Sequence, residues 1–341
     1  MIKKQNYLKH AIVLFLLLLL MQPERAWAAY ENVEFSSLTN HDGLTNSQVG
    51  AILKDTRGYI WFGTQSGLCR FDGFRMKTFY YINTDDKSLP NNSVDELQQD
   101  YGGNIWVHTS VGYCIYKYDE EQFERKPEEW LKNIHVQGPP YKLLIDKDKN
   151  MWIAVYGQGL YYHNAKTKNT YLFKFTKKAQ PGCLKEGNIS KITEVDGDAL
   201  ITYGDGTICR VNGQKQKVLW YNSFLATHKA AGDNGAYTFY DGIGGFWVSV
   251  SNANYVYQSK TGKWTDARSY LTNMGIHIPC PTHILMRDIA RDKAGNLWVA
   301  SDHNGLFFVD FKRKICRQYV HSEAKGSIVD NSLQKVYVDD E

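Results

Sequence analysis

Short polar groups recur along the 341-residue chain. They are Thr64-Gln65-Ser66, Thr109-Ser110, Tyr156-Gly157-Gln158, Asp205, Ser251-Asn252 and Asp302-His303-Asn304, with Asn46, Asn92 and Asn331 ahead of apolar runs. Amides, acids and hydroxyls bond sugar hydroxyls, and a neighbouring aromatic ring stacks on a pyranose face. Gln65, Ser110, Tyr156, Gln158, Asp205, Asn252, Asp302, His303 and Asn304 are therefore the candidate ligand-binding residues. Any one of them alone also suits a solvated turn, so the argument rests on the set.

Other chemistries have less support. His277, Cys280 and His283 form the one metal-like cluster. It holds two prolines and lacks a fourth ligand, so no metal site is expected. A glycosidase needs two carboxylates facing one cleft. Asp205 and Asp302 lie in suitable loops, but nothing else marks them. Asp85-Asp86-Lys87 and Asp119-Glu120-Glu121 read as solvated turns. No catalytic residue and no cofactor is expected.

The polar groups must be positioned by something periodic. Trp61, Trp106, Trp152, Trp247 and Trp298 each sit in a copy of one pattern, and Leu200 takes that place in a sixth. An acid precedes each anchor by six residues: Asp55, Asp100, Asp146, Glu194, Asp241 and Asp292. Glycine stands three residues before the anchor in five copies, with Lys149 the exception. The anchors are 45, 46, 48, 47 and 51 residues apart. A period in the forties with four strand candidates per unit predicts an all-β fold, a β-propeller of four-stranded blades. In the first copy the candidates are Val49–Lys54, Tyr59–Gly63, Leu68–Phe71 and Met76–Tyr81. The Trp is expected between blades, the glycines at positive φ, and the acids on turn amides.

Residues 1–28 read as a secretory signal peptide. Lys3, Lys4 and Lys9 form the charged head, Ala11 to Met21 is the apolar run, and Ala26-Trp27-Ala28 is the cleavage site. An uncleaved anchor is the rival reading. Removing 1–28 takes four bases and one acid from 40 and 36, leaving 36 and 35, a net charge of +1 with His neutral. So balanced a charge argues against a nucleic-acid partner. Export permits disulfides, yet Cys69 and Cys114 hold the same place in successive repeats, too far apart to bridge. Free, mostly buried thiols are favoured for all six cysteines.

Tyr30 to Leu38 reads as a lone strand, placed as an outer strand near the ring's opening. The segments 128–141 and 174–188 read as irregular, with Trp130 packing locally. Asp330 to Asp339 resembles Asn91 to Asp100 and opens a seventh repeat. Its next Trp would fall four residues past Glu341. The expected architecture is six complete repeats plus an incomplete seventh, of the seven-bladed type, over residues 29–341.

The stretch Asn46 to Leu68, NSQVGAILKDTRGYIWFGTQSGL, resembles the two-component regulator propeller repeat. Phe35 to Ser47 resembles the start of the sensor region in hybrid two-component systems of glycan-degrading gut bacteria. The resemblance implies a periplasmic, non-catalytic propeller that senses oligosaccharides. It also implies, as partners, the remainder of a membrane sensor kinase or a second propeller, and a dimer in the full sensor. No kinase, receiver or membrane motif of that family occurs here. A secreted polysaccharide-cleaving propeller and a non-functional sensor fragment remain the alternatives.

Overall fold

In a computed structural model, residues 33–177, 183–228, 237–250, 253–280 and 284–339 are described. The signal peptide expectation lies outside them. The chain divides into two units, one of residues 1–37 with 321–329, the other of 38–320 with 330–341. In the described part of the first unit, Phe35 N donates to Gly326 O at 2.9 Å. Residues 33–38 form no strand, against expectation. A ladder needs pairing along the segment, and no sheet among the described residues includes it.

The second unit holds six antiparallel blades in chain order. Blade one is Val49–Lys54, Ile60–Thr64, Gly67–Phe71 and Met76–Phe79. The first strands of blades two to six are Val94–Gln99, Pro140–Ile145, Ile189–Val195, Tyr237–Tyr240 and Leu285–Arg291. Blade three adds a fifth strand, Leu184–Lys185, parallel to Thr170–Thr176, inside the segment expected to be a loop.

The six-residue spacing from acid to Trp has a direct physical cause. One carboxylate oxygen accepts the backbone amide four residues on: Tyr59, Asn104, Asn150, Gly245 and Asn296. The other accepts the indole N–H six residues on, at 2.6, 3.0, 3.4, 3.0 and 3.3 Å along the chain. The acid thus closes the first hairpin turn and fixes the Trp that follows it. The residue three after the acid must take positive φ to make that turn. Gly58, Gly103, Gly244 and Gly295 do so, and Lys149 does so at 63°.

The anchors of blades one to five are each covered by the next blade. Trp61 packs edge-on to Tyr116 and Tyr118 of blade two, at 5.2 and 6.0 Å. Trp106 joins Leu143, Met151 and Ile153 of blade three. Trp130, on a helix over Pro127–Lys132, lies 5.3 Å from Trp106. Trp152, Leu200 and Trp247 are buried in the same way against blades four, five and six. All six cysteines are free thiols, and Cys69, Cys114, Cys209 and Cys280 are buried.

Blade four corrects the reading of Glu194 as the repeat acid. Trp61 pairs with Leu53, two residues before Asp55. Leu200 pairs with Thr193, so Val195 holds the acid's place and Glu194 stands one residue early. The turn is one residue shorter, built on Asp196 and Gly197 at φ 50° and 83°. Asp-Gly with both φ positive is the tight hairpin turn that matches strand twist. It needs no carboxylate clasp, and the Leu200 side chain has no N–H to hold. Glu194 accepts Lys147 N at 2.8 Å instead.

No seventh blade is evident, which corrects the expected incomplete seventh. Residues 330–339 form no strand. A strand's ladder needs a partner along its length, and here the bonds are few. Gly305 N donates to Asn331 O at 2.8 Å and Leu333 N to Ser301 O at 2.9 Å. The Lys335 and Asp288 charges lie 3.4 Å apart, and Lys54 meets Asp339 at 2.9 Å. The segment thus touches blade six at one end and blade one at the other.

Candidate functional site

The described candidate residues occupy the turns between the second and third strands of their blades, with Asp302 as the last residue of its second strand. In blades one, two and six these turns are closed by a threonine or serine at or next to the end of the second strand. Thr64, Thr109 and Ser301 hydroxyls donate to the carbonyls of Gly67, Gly112 and Gly305, at 2.8, 2.8 and 2.7 Å. The next blade's lead-in loop is stitched to the same turn. Gly67 N donates to Asn92 O at 2.8 Å, the bond that Gly305 makes to Asn331.

On this frame Gln65 is exposed and accepts the Ser93 hydroxyl at 2.9 Å. Ser110 is exposed, and its amide donates to Ser93 O at 3.2 Å. Gln65 and Ser110 therefore flank one lead-in residue. Tyr156 is 68% exposed, and its ring stacks on Tyr141 with centroids 4.0 Å apart and planes at 19°. Gln158 donates to Gln137 O at 2.9 Å and accepts the Tyr161 hydroxyl at 2.5 Å. Asn252 lies outside the described residues.

Both candidate acids are held by cations. Asp205 accepts Lys185 Nζ at 2.7 Å and Thr207 N at 2.8 Å. Burial works against its charged form, but these bonds outweigh burial and hold the carboxyl below its usual range. Asp302 is bound by the Arg287 guanidinium and meets the ring of His303 at 2.7 Å. Arg287 likewise outweighs burial and keeps Asp302 low. Asn304 donates to Cys280 Sγ at 3.6 Å. His303 is exposed. His283 lies outside the described residues, and among the described ones no group of three His, Cys, Asp or Glu is placed to hold a metal.

The candidate residues sit on separate blades around a rim, and none of them lines the cavities of the second unit described below. What sequence reasoning missed is Tyr141, which supports Tyr156 from the first strand of blade three and accepts Ile189 N of blade four at 3.3 Å. It lies 15 residues from Tyr156, and only strand pairing brings them together.

Residues 43–66 match the two component regulator propeller family. The matched stretch runs from the lead-in loop through the Asp55–Trp61 clasp to the turn at Gln65 and Ser66. No curated protein matches the chain. Among solved structures it resembles the extracellular domain of BT3049 of B. thetaiotaomicron, described as a hybrid two component system. Identity is 20% and the TM-score 0.64, over 90% of this chain and 39% of that one. The extracellular domain of BT4673 of the same organism, described as a one component system, gives 18% and 0.55, over 85% of this chain and 39% of that one. At such identities the likeness establishes the propeller fold. The chain spans about two fifths of the length of these relatives. No helix among the described residues is long and apolar enough to cross a membrane.

Proposed function

We propose that this chain is the ligand-sensing propeller of a two-component signalling protein, acting in the periplasm after loss of residues 1–28, and that it recognises an oligosaccharide. The match at residues 43–66 and the likeness to extracellular sensor domains support the sensor reading. The ligand class rests on the Tyr141–Tyr156 stack. A ring 68% exposed and braced flat from behind offers one face to a pyranose, with Gln158 two residues away. The other turn-tip candidates would supply polar contacts around the same rim.

The chain would act with the remainder of a membrane sensor kinase or a second propeller, in a sensor that dimerises, and without nucleic acid. Catalysis is not part of the proposal. A glycosidase acid needs a raised pKa, and Asp205 and Asp302 are both lowered.

The test is calorimetry of the chain from residue 29 against a panel of neutral tri- to hexasaccharides. One or more should bind, and Tyr156→Ala should weaken that binding about tenfold or more, the effect of losing some 1.4 kcal/mol. Binding untouched by Tyr156→Ala would reject the site, and no binding across the panel would reject the ligand class.

A further inference from the structure

The first strands of the blades share one register feature. In blades one, two, four and six the pairing shifts, and the residue just after the shift faces a second-strand residue two places beyond the anchor. These pairs are Ala51 with Gly63, Glu96 with His108, Lys191 with Thr202, and Asp288 with Ala300. Lys142 with Ala154 is the same pair in blade three, next to its own shift. Counted back from Asp339, Lys335 holds the same place in the last segment. Ala51, Glu96, Lys142, Lys191, Asp288 and Lys335 line one cavity of about 270 Å³. Because the strands converge from five blades and the closing segment, this cavity lies on the propeller's axis. Lys191 and Asp288 also line a second cavity, of about 480 Å³, bounded by Thr193, Thr238 and Tyr240.

The charges of this ring are unevenly paired. Glu96 meets Lys142 at 3.0 Å and Asp288 meets Lys335 at 3.4 Å. Asp95, on the same wall, meets His108 at 2.5 Å. Beyond Lys191, the Lys147 and Glu194 charges lie 3.5 Å apart, and Asp196 accepts the Tyr240 hydroxyl at 2.8 Å. Among the described residues Lys191 forms no ion pair, and its ammonium lies 4.3 Å from the centre of the Phe239 ring. The lining therefore holds three lysines and three carboxylates, and Lys191 is the one of the three lysines that meets no carboxylate among the described residues.

We propose that the axial channel binds a small oxyanion at Lys191. A half-buried ammonium without an ion-pair partner is costly to keep charged, and an anion that accepts its N–H bonds lowers that cost. The cavity is smaller than the roughly 300–1,000 Å³ of sites for drug-sized ligands, so it suits a carboxylate or sulfate rather than an oligosaccharide. The site is built on strands, away from the turn tips, and stands whether or not the rim binds sugar. Burial, with Lys335 nearby, pushes the Lys191 ammonium down to about 8, against the pull of Asp288 and Glu96. The group is charged below that pH and neutral above it, so affinity falls as pH rises through it.

The experiment is calorimetry on the chain from residue 29 at constant ionic strength in chloride, with sodium sulfate and, separately, sodium acetate. At pH 6.5 one of the two should bind at one site, the tetrahedral or the planar anion being identified by which arm responds. At pH 9 that affinity should be about tenfold weaker. Lys191→Gln should abolish it, while Lys312→Gln, an exposed lysine elsewhere, should not. Lys191→Arg stays charged and should bind equally at both pH values. That variant decides the matter should Lys191→Gln fail to fold. No saturable binding of either anion at pH 6.5, binding that survives Lys191→Gln, or the same pH dependence in Lys191→Arg would each overturn the proposal.

Discussion

Asp100 illustrates what a single residue does in this protein. It is 2% exposed and accepts Gly102 N, Asn104 N and Trp106 Nε1 at 2.8, 3.0 and 3.0 Å. Removing the carboxylate strands several buried donors at once. Each such orphan costs about 1–3 kcal/mol, and partial relaxation recovers some of it. Asp100→Ala should therefore lose roughly 2–4 kcal/mol in urea unfolding. Glu194→Ala should lose about 0.5 kcal/mol or less, because Glu194 holds only a surface contact to Lys147. Equal losses would mean that the clasp is not what holds the turn. The recurrence of Asp, Gly and Trp was legible in the sequence. That the acid binds the indole itself was not, since spacing alone does not say which way a carboxylate points.

At the scale of the element, blade four shows how a hairpin trades one device for another. A clasped five-residue connection gives way to Asp196-Gly197, and the register moves by one residue. The same logic makes some glycines obligatory and others free. Gly159 starts the third strand of blade three at φ 145°, and an added Cβ would run into the Phe173 carbonyl. Gly73 has a comparable positive φ of 95° but open space around it. Gly159→Ala should cost roughly 3 kcal/mol or more, through strain and a broken ladder. Gly73→Ala should cost about 1 kcal/mol, the backbone penalty alone. Thermal melts of the two variants side by side check this, and similar shifts would refute the close-approach argument.

For the propeller unit as a whole, the last described segment decides how the blades close up. Trp61, Trp106, Trp152 and Trp247 are at most 3% exposed, each under the following blade. Trp298 is only half-buried, touching Phe308 and Tyr319 of its own blade. No blade among the described residues covers it. Residues 330–339 instead span blades six and one through Gly305, Ser301, Asp288 and Lys54. Deleting 330–341 should lower the melting temperature by roughly 5 °C or more, since several bonds worth about 1 kcal/mol each are lost. It should also broaden the transition. An unchanged melt would show that blades one and six hold together without the segment.

The sequence by itself determined the repeat, the six complete blades and the place of each Trp, because these follow from local spacing in strands and turns, while the seventh blade it also implied is not evident. It also pointed to the connections between second and third strands, since a short polar group ahead of a glycine recurs there in five of the six copies. Tertiary structure alone decided what meets across blades. Tyr141 under Tyr156, the one-residue shift in blade four and the lone ammonium of Lys191 among paired charges are examples. Each depends on register and on which strands converge at the axis. Those are long-range quantities: a shift of one residue turns a side chain to the other face without changing the local pattern.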